Sequence, residues 1–391
     1  MSLSPSQAAR RIACPGSHTL IQSLPKTDIS ESAQEGITAH TVACAFLTNP
    51  PIAQIFLKDG VAFGSHIIKE LGIVKEFITD EMVDGAVLYT STINEKICGN
   101  LENQDTIISK LHVEEPLDIS NIHPECRGVP DCWAFTDNTL YLWEYKYGHK
   151  PVEVYENWQL IEYAAGILRK LETEGILNTQ IFVEFSIIQP RSFHSDGTVR
   201  TWRIKAFDLL PYFTTLKKAE HEATQPNTLC TPNPECRFCP ARHMCGALQI
   251  AALTAVDVSK TNSPVELSAS ALGGELRLLQ HAKSLLDARI TGLEEQALAR
   301  IKRGELIPFY CIQESTPRKV WNKSIEEIIN MGELLGYEIA KPREIITPKQ
   351  AIDRGMPSDV IEGLTKTERG ALKLKPFDLG TTKKIFDTSA K

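Results

Sequence analysis

The segment GVPDCWAFTDNTLYLWEYKYG, residues 128–148, constrains this 391-residue chain more than any other stretch. Residues 128–138 and 139–148 are rich in β-branched and aromatic side chains, and the Asp-Asn pair where they meet is a turn signal, so two adjacent antiparallel strands are expected. Side chains two apart on a strand share a face. Glu144 and Lys146 therefore project together, and Trp143, Tyr145 and Tyr147 project from the other side. The same pairing brings Asp131 beside Glu144. Two carboxylates and the backbone carbonyl of Tyr145 offer oxygen ligands to a hard cation such as Mg²⁺ or Mn²⁺. Lys146 then stands where it can orient an attacking water and stabilise phosphorane-like charge. Alternating charges on a strand usually mark a solvated face; the large aromatic face behind this pair sets it apart.

The flanking sequence supplies further candidates. Residues 30–47 and 80–97 carry apolar residues at helical spacing, and Glu35, Gly36 and His40 fall on the first of these helices, from which an imidazole can reach a metal. Residues 106–119 are expected to form a strand. An amphipathic helix is expected over 156–175, closed by Gly175, with Gln159 and Tyr163 four apart on one face; both side chains can contact a phosphate or a base. Strands follow at 180–191 and 199–207, and residues 217–236 pass from helix into a Pro-rich loop. Residues 251–274 read as a linker, most clearly the Ser/Thr/Gly-containing part near 259–274. A long helix is expected over 275–304, then a strand at 307–314, a helix at 319–336 and a locally basic, short-helical tail over 347–376. The expected organisation is thus a core over 1–250 and a C-terminal helical or α+β appendage over 275–391.

Of the ten cysteines, Cys230, Cys236, Cys239 and Cys245 cluster in a stretch flanked by Pro and Gly. A C-x2-C turn presents two sulfurs to one soft metal centre. A zinc ribbon more commonly supplies two such pairs, and only one is present; four thiolates at wide spacing also suit a [4Fe–4S] cluster. The net charge of −7 excludes a uniformly basic, nucleic-acid-coating protein. It leaves room for a local basic groove, with Arg10, Arg11, Lys217, Lys218, Lys302 and Arg303 as candidates for phosphate contacts. The N-terminal residues lack the apolar run of a signal peptide, and no stretch approaches a membrane span, so a cytoplasmic address is expected. No Walker A motif occurs, so any ATPase or helicase would be a separate partner.

In chain order, EGITAH (35–40), GVPD (128–131), EYK (144–146) and QLIEY (159–163) resemble the helix histidine, aspartate, E-x-K and Q-x-x-x-Y motifs of RecB-type PD-(D/E)XK nucleases. RRIACPGS (10–17) is similar to the CPGS start of phage-encoded RecB-like proteins, and the cysteines resemble those of the CRISPR-adaptation and AddB nucleases that carry an iron–sulfur cluster. The likeness covers about residues 8–250. It implies an α/β, restriction-endonuclease-like mixed sheet flanked by helices, with an iron–sulfur staple. It also implies that His40, Asp131, Glu144 and the Tyr145 carbonyl bind Mg²⁺ or Mn²⁺. Asp131, Glu144 and Lys146 would carry the chemistry, and Gln159 and Tyr163 would position the nucleic acid. A [4Fe–4S] cluster would be held by Cys14, Cys236, Cys239 and Cys245, with Cys230 as the local alternative to Cys14. The implied activity is a metal-dependent deoxyribonuclease, an exonuclease threading a single strand or a free end, in phage recombination, replication or repair in the host cytoplasm. A phage single-strand-binding or recombination protein is the partner class implied, and no membrane. The rival readings are a non-catalytic DNA-binding or recombination module with a structural metal cluster, and a zinc-stabilised scaffold.

Overall fold

The computed structural model describes residues 3–25, 31–59, 64, 78–98, 111–176, 180–258 and 268–312. Helices α1 (Ala8–Ala13), α2 (Ser17–Gln22), α3 (Glu31–Thr48), α4 (Pro50–Asp59) and α5 (Asp80–Cys98) come first. Strands β1 (His112–Val113), β2 (Leu117–Asp118), β3 (Arg127–Gly128), β4 (Cys132–Thr136) and β5 (Thr139–Tyr145) follow, then α6 (Trp158–Thr173), β6 (Phe182–Ile188), β7 (Val199–Lys205), α7 (Leu210–Thr224), α8 (Gly246–Val258) and α9 (Ala269–Lys302). No helix among the described residues is long and apolar enough to cross a membrane.

The main sheet has five strands in the order β1-β4-β5-β6-β7. Only β5 and β6 run parallel, with α6 as the connection between them; the other neighbours are antiparallel. The β4–β5 turn places both Asp137 and Asn138 at positive φ, near 49° and 56°, the conformation of a type I′ hairpin, which follows the right-handed twist of its strands. Helix α6 is capped as its sequence requires: the Asn157 side chain accepts from the backbone N–H groups of Gln159 and Leu160, and such a cap stabilises a helix by about 1 kcal/mol.

Alternation along β5 divides the core. Leu140 and Leu142 pack against α6 with Val183, Phe185 and Ile187 of β6. Trp143, Tyr145 and Tyr147 pack on the other face against α3, α4 and α5 through Phe46, Phe56, Met82 and Tyr89. The molecule is therefore a mixed α/β layer structure, a five-stranded mixed sheet with helices on both faces, as the sequence led us to expect.

Three expectations need correction. Residues 112–119 are not part of one strand. Glu114 adopts a positive φ of 52° and Pro116 follows it, so the chain turns, and β1 joins the main sheet while β2 pairs with β3 in a separate ribbon. Both ends of the expected linker at 251–274 are helical: α8 runs to Val258, and α9 begins at Ala269 and runs through Gly273 and Gly274. Two glycines cost a helix only about 1 kcal/mol each. Helix α9 packs on the cysteine loop and α8. Leu285 and Ala288 pack with Cys236, Cys245 and Leu248, and Arg289 donates to the Arg242 carbonyl at 3.2 Å. Finally, residues 307–312 form a turn and irregular backbone in place of the expected strand. The expected elements at 319–336 and 347–376 lie outside the described residues.

Candidate functional site

The C-terminal end of β5 carries the candidate site, and three elements converge there. The pairing Cys132↔Trp143 continues to set Asp131 opposite Glu144. By strand parity Glu144 and Lys146 face α6, the same side as Leu140 and Leu142, while α3 delivers His40 from the opposite layer. Asp131 is anchored in an unexpected way: its Oδ2 accepts from the Tyr145 backbone N–H at 2.7 Å. The peptide between Glu144 and Tyr145 thus orients the carboxylate through its amide.

His40 links two carboxylates. Its Nε2 lies 2.9 Å from Asp131 Oδ2 and its Nδ1 lies 3.1 Å from Glu114 Oε1. One ligand atom from each of His40, Glu114 and Asp131 lies within 4.8 Å of the others. Burial opposes a charged ring at His40, but the Asp131 hydrogen bond and the charges of Asp131, Glu114 and Glu144 prevail and raise its pKa to about 9. In this state a protonated imidazole balances the carboxylates, so a metal would displace a proton on binding. Glu114 was not among the residues singled out from the sequence. The signal for it was faint: HVEEP continues the short strand whose Val113 pairs with Cys132, so the next residue faces Asp131.

Glu144 and Lys146 form a second, adjoining group. Lys146 Nζ donates to Glu144 Oε1 at 2.6 Å and to Gln159 Oε1 at 3.2 Å, and Gln159 Nε2 donates to the same Glu144 oxygen at 2.6 Å. Glu144 is 3% exposed, so this is no solvated strand face. Its Oε2 is buried with no hydrogen-bond partner among the described residues, and burial followed by the Asp131 charge lifts its carboxyl to about 7. A buried carboxylate oxygen of this kind costs on the order of 1–3 kcal/mol unless a proton or cation satisfies it. Lys146 shifts upward although burial opposes it, because the charge and hydrogen bond of Glu144 favour the ammonium.

Gln159 therefore sits inside the carboxylate–lysine group, where it holds both partners. Tyr163 is buried and donates its hydroxyl to the Val129 carbonyl at 3.0 Å. It supports the loop that carries Asp131. The glycine of GVPD has a steric reason here: a Cβ on Gly128 would meet Tyr163 Cε1 at 2.6 Å and Pro5 Cδ at 2.9 Å. Beside His40, a groove along α3 is lined by Gly36, Ile37, Thr41, Cys44 and Glu114.

The cysteines gather elsewhere, where the N-terminal helices meet the Pro-rich loop. Cys14, Cys230, Cys236, Cys239 and Cys245 all line one small cavity, together with Arg10. Cys14 ends α1, and backbone-to-side-chain hydrogen bonds fasten the loop there and hold its shape. Thr231 N–H donates to Cys14 Sγ at 3.2 Å, Asn233 N–H donates to Cys236 Sγ at 3.4 Å, and Asn233 Nδ2 donates to the Ala13 carbonyl at 3.2 Å. The glycine of CPGS permits this approach, since a Cβ on Gly16 would lie 2.5 Å from the Thr228 carbonyl oxygen. Burial pushes the thiols of Cys230, Cys236 and Cys239 up, and the Asn233 amide at Cys236 opposes this; five sulfurs on one cavity are a donor set that fits a soft metal centre. Cys230 stands within hydrogen-bond reach of both Cys14 and Cys245, but no three of the five sulfurs come as close to one another as the ligand atoms of His40, Glu114 and Asp131 do.

Of the basic residues expected to contact phosphates, Arg11 does not reach solvent. It is 1% exposed, donates to Glu162 at 3.3 Å and pairs with Glu220. Its guanidinium ties α1 to α6 and α7. Lys217, Lys218, Lys302 and Arg303 lie on the surface.

Residues 1–375 match the family described as "Protein of unknown function (DUF2800)". The match spans nearly the whole chain, and the protein belongs to this family.

Proposed function

We propose that this DUF2800 member is a metal-dependent nuclease that hydrolyses phosphodiester bonds in DNA. The observation that carries the reading is the convergence of His40, Glu114 and Asp131 on one side of a buried Glu144–Lys146 pair, at the C-terminal end of the central strand β5. The order of EGITAH, GVPD, EYK and QLIEY, which resembles that of RecB-type nucleases, adds support.

An imidazole and carboxylate oxygens suit Mn²⁺ or Mg²⁺. His40, Asp131 and Glu114 would hold the ion, with the unpartnered Oε2 of Glu144 as a further oxygen. When bound, such an ion polarises the phosphoryl oxygen and lowers the pKa of a coordinated water. The chain's own groups do the rest. Lys146 commits two of its three N–H donors to Glu144 and Gln159, which leaves one to orient water or meet charge on phosphate. The Tyr145 amide holds Asp131, and Tyr163 braces the Val129 carbonyl two residues before it. The cysteine cavity would hold a [4Fe–4S] cluster whose role is structural, fixing the first twenty residues to the end of the core.

The test is incubation of end-labelled single-stranded and duplex DNA and closed circles with Mg²⁺ or Mn²⁺. Metal-dependent shortening is expected, progressive from one end for an exonuclease. A gel shift with no shortening under any of these conditions would replace this reading with that of a binding module.

A further inference from the structure

Two cations meet where the core touches the cysteine loop. Lys150 Nζ lies 3.4 Å from the centre of the Phe238 ring, and the Arg237 guanidinium lies 4.5 Å from the same ring. Both are exposed, and among the described residues neither forms an ion pair. Glu235 is the carboxylate whose charge reaches Lys150, and it stands beyond ion-pair distance, so two like charges gathered on one ring still suit an anion from outside the chain.

Lys150 is also held in place by a buried scaffold. Gln189, 0% exposed, donates to the carbonyls of Gly148 and Lys150 at 2.6 and 2.7 Å and accepts from the Val152 N–H at 3.1 Å. Arg200, also buried, donates to the Val152 carbonyl and to Gln189 Oε1. The turn after β5 is thereby fixed only four residues beyond Lys146. Because β5 and β6 are parallel, the loop that leaves β6 emerges at the same end of the sheet as the candidate site. That loop runs along the Lys150 turn: His149 Nδ1 lies 3.4 Å from the Arg191 carbonyl and His194 Nε2 lies 2.7 Å from Glu153. At its crest Phe193 is 90% exposed.

We propose that Lys150, Arg237 and Phe193 form a binding site for single-stranded DNA, with the two cations on consecutive phosphates and the Phe193 ring stacked on an unpaired base. Such sites pair a basic track with an aromatic platform, and the platform is sequence-tolerant because every base has a π-face. Phe193 needs an unstacked base, which a duplex does not offer. The site rests on the nuclease reading only in its direction: it would lead a strand across the cysteine module to the end of β5.

The test is fluorescence anisotropy of a labelled oligothymidylate, without divalent metal, over a range of salt concentrations, with a labelled blunt hairpin and an oligouridylate as parallel arms. Single-strand affinity should exceed hairpin affinity. Lys150→Ala/Arg237→Ala should weaken binding and flatten the plot of log affinity against log salt by about 1.4, from about 0.7 per phosphate on a single strand. Phe193→Ala should weaken it by about tenfold with an unchanged slope. Unchanged affinity in both variants, with unchanged melting temperatures, overturns the proposal and turns this surface over to a protein partner. Preference for oligouridylate would move the substrate to RNA and overturn the DNA assignment. Binding is read without cleavage, so loss of the nuclease reading would leave this result standing, and cleavage with normal binding by the variants would sink this proposal alone.

Discussion

At the scale of single residues, His40 and Glu114 separate metal binding from the rest of the site. Each approaches Asp131 or its partner at hydrogen-bond distance, and neither touches the Glu144–Lys146–Gln159 group directly in the contacts described above. We predict that Glu114→Ala and His40→Ala each weaken Mn²⁺ binding by at least about tenfold, the scale on which even supporting residues tune metal sites. Mn²⁺ titration followed by electron paramagnetic resonance of the free ion checks this. Unchanged titrations would remove the pair from the metal site. His40, Asp131, Glu144 and Lys146 were legible because each sits in a short pattern whose period places it on a helix or strand. Glu114 was not, because it follows a two-residue strand too short to show a period. The roles of Gln159 and Tyr163 were half legible: helical spacing put them on one face, but burial decides whether a face meets substrate or supports the site, and nothing in the local sequence reports burial at a helix crossed by two others.

At the scale of elements, the buried Arg11 network decides how the N-terminal segment stays in place. Arg11 from α1 meets Glu162 from α6 and Glu220 from α7, with Cys126 beside Glu162 and His123 near Glu220. Burial, and then the Glu220 charge, raise the Glu162 pKa from 4.5 to about 7, against the opposing charge of Arg11. Because the folded value lies above the unfolded one, this carboxyl's contribution is complete below about pH 4.5 and is lost as the pH rises through about 7. Over that window the loss is on the order of 3 kcal/mol for this one group. We predict that Glu162→Gln flattens the fall in melting temperature between pH 4.5 and 7 relative to the parent, measured by calorimetry in matched buffers. Parallel curves would show that Glu162 titrates alike in both states. The arginine looked like a surface cation in the sequence, since a charge beside another charge gives no sign of a distant buried partner. The helices and the β4–β5 hairpin were legible from period and turn chemistry. The break at Glu114 and Pro116 and the helix through Gly273 and Gly274 were not: the β-rich residues around Pro116 masked its local turn, and the two glycines, exposed with nothing packed against them, lie in a helix that tolerates them at only about 1 kcal/mol each.

At the scale of the whole molecule, the first helices and the cysteine loop close the chain on itself over more than two hundred residues, from Cys14 to Cys245. Five thiols on one cavity leave two ligand sets, one with Cys14 and one with Cys230. We predict that Cys14→Ser loses iron and visible absorbance and exposes residues 3–22 to limited proteolysis, while Cys230→Ser keeps both the cluster and the protected N-terminus. A crosslink over so long a loop removes much denatured-state entropy in the simple model, so the same variant should melt at a lower temperature. A full cluster in Cys14→Ser with loss in Cys230→Ser would leave a local metal knuckle. The central claim, however, is that the end of β5 is a hydrolytic centre, and Lys146 tests it most directly, since its ammonium is the group assigned to the transition state. The measurement is the Mn²⁺-dependent cleavage rate of end-labelled single-stranded DNA by the parent and by Lys146→Ala, with melting temperature and DNA affinity recorded on the same preparations. The predicted result is a rate lower by about 10²–10³ with both other quantities unchanged; equal rates for the two proteins would contradict it.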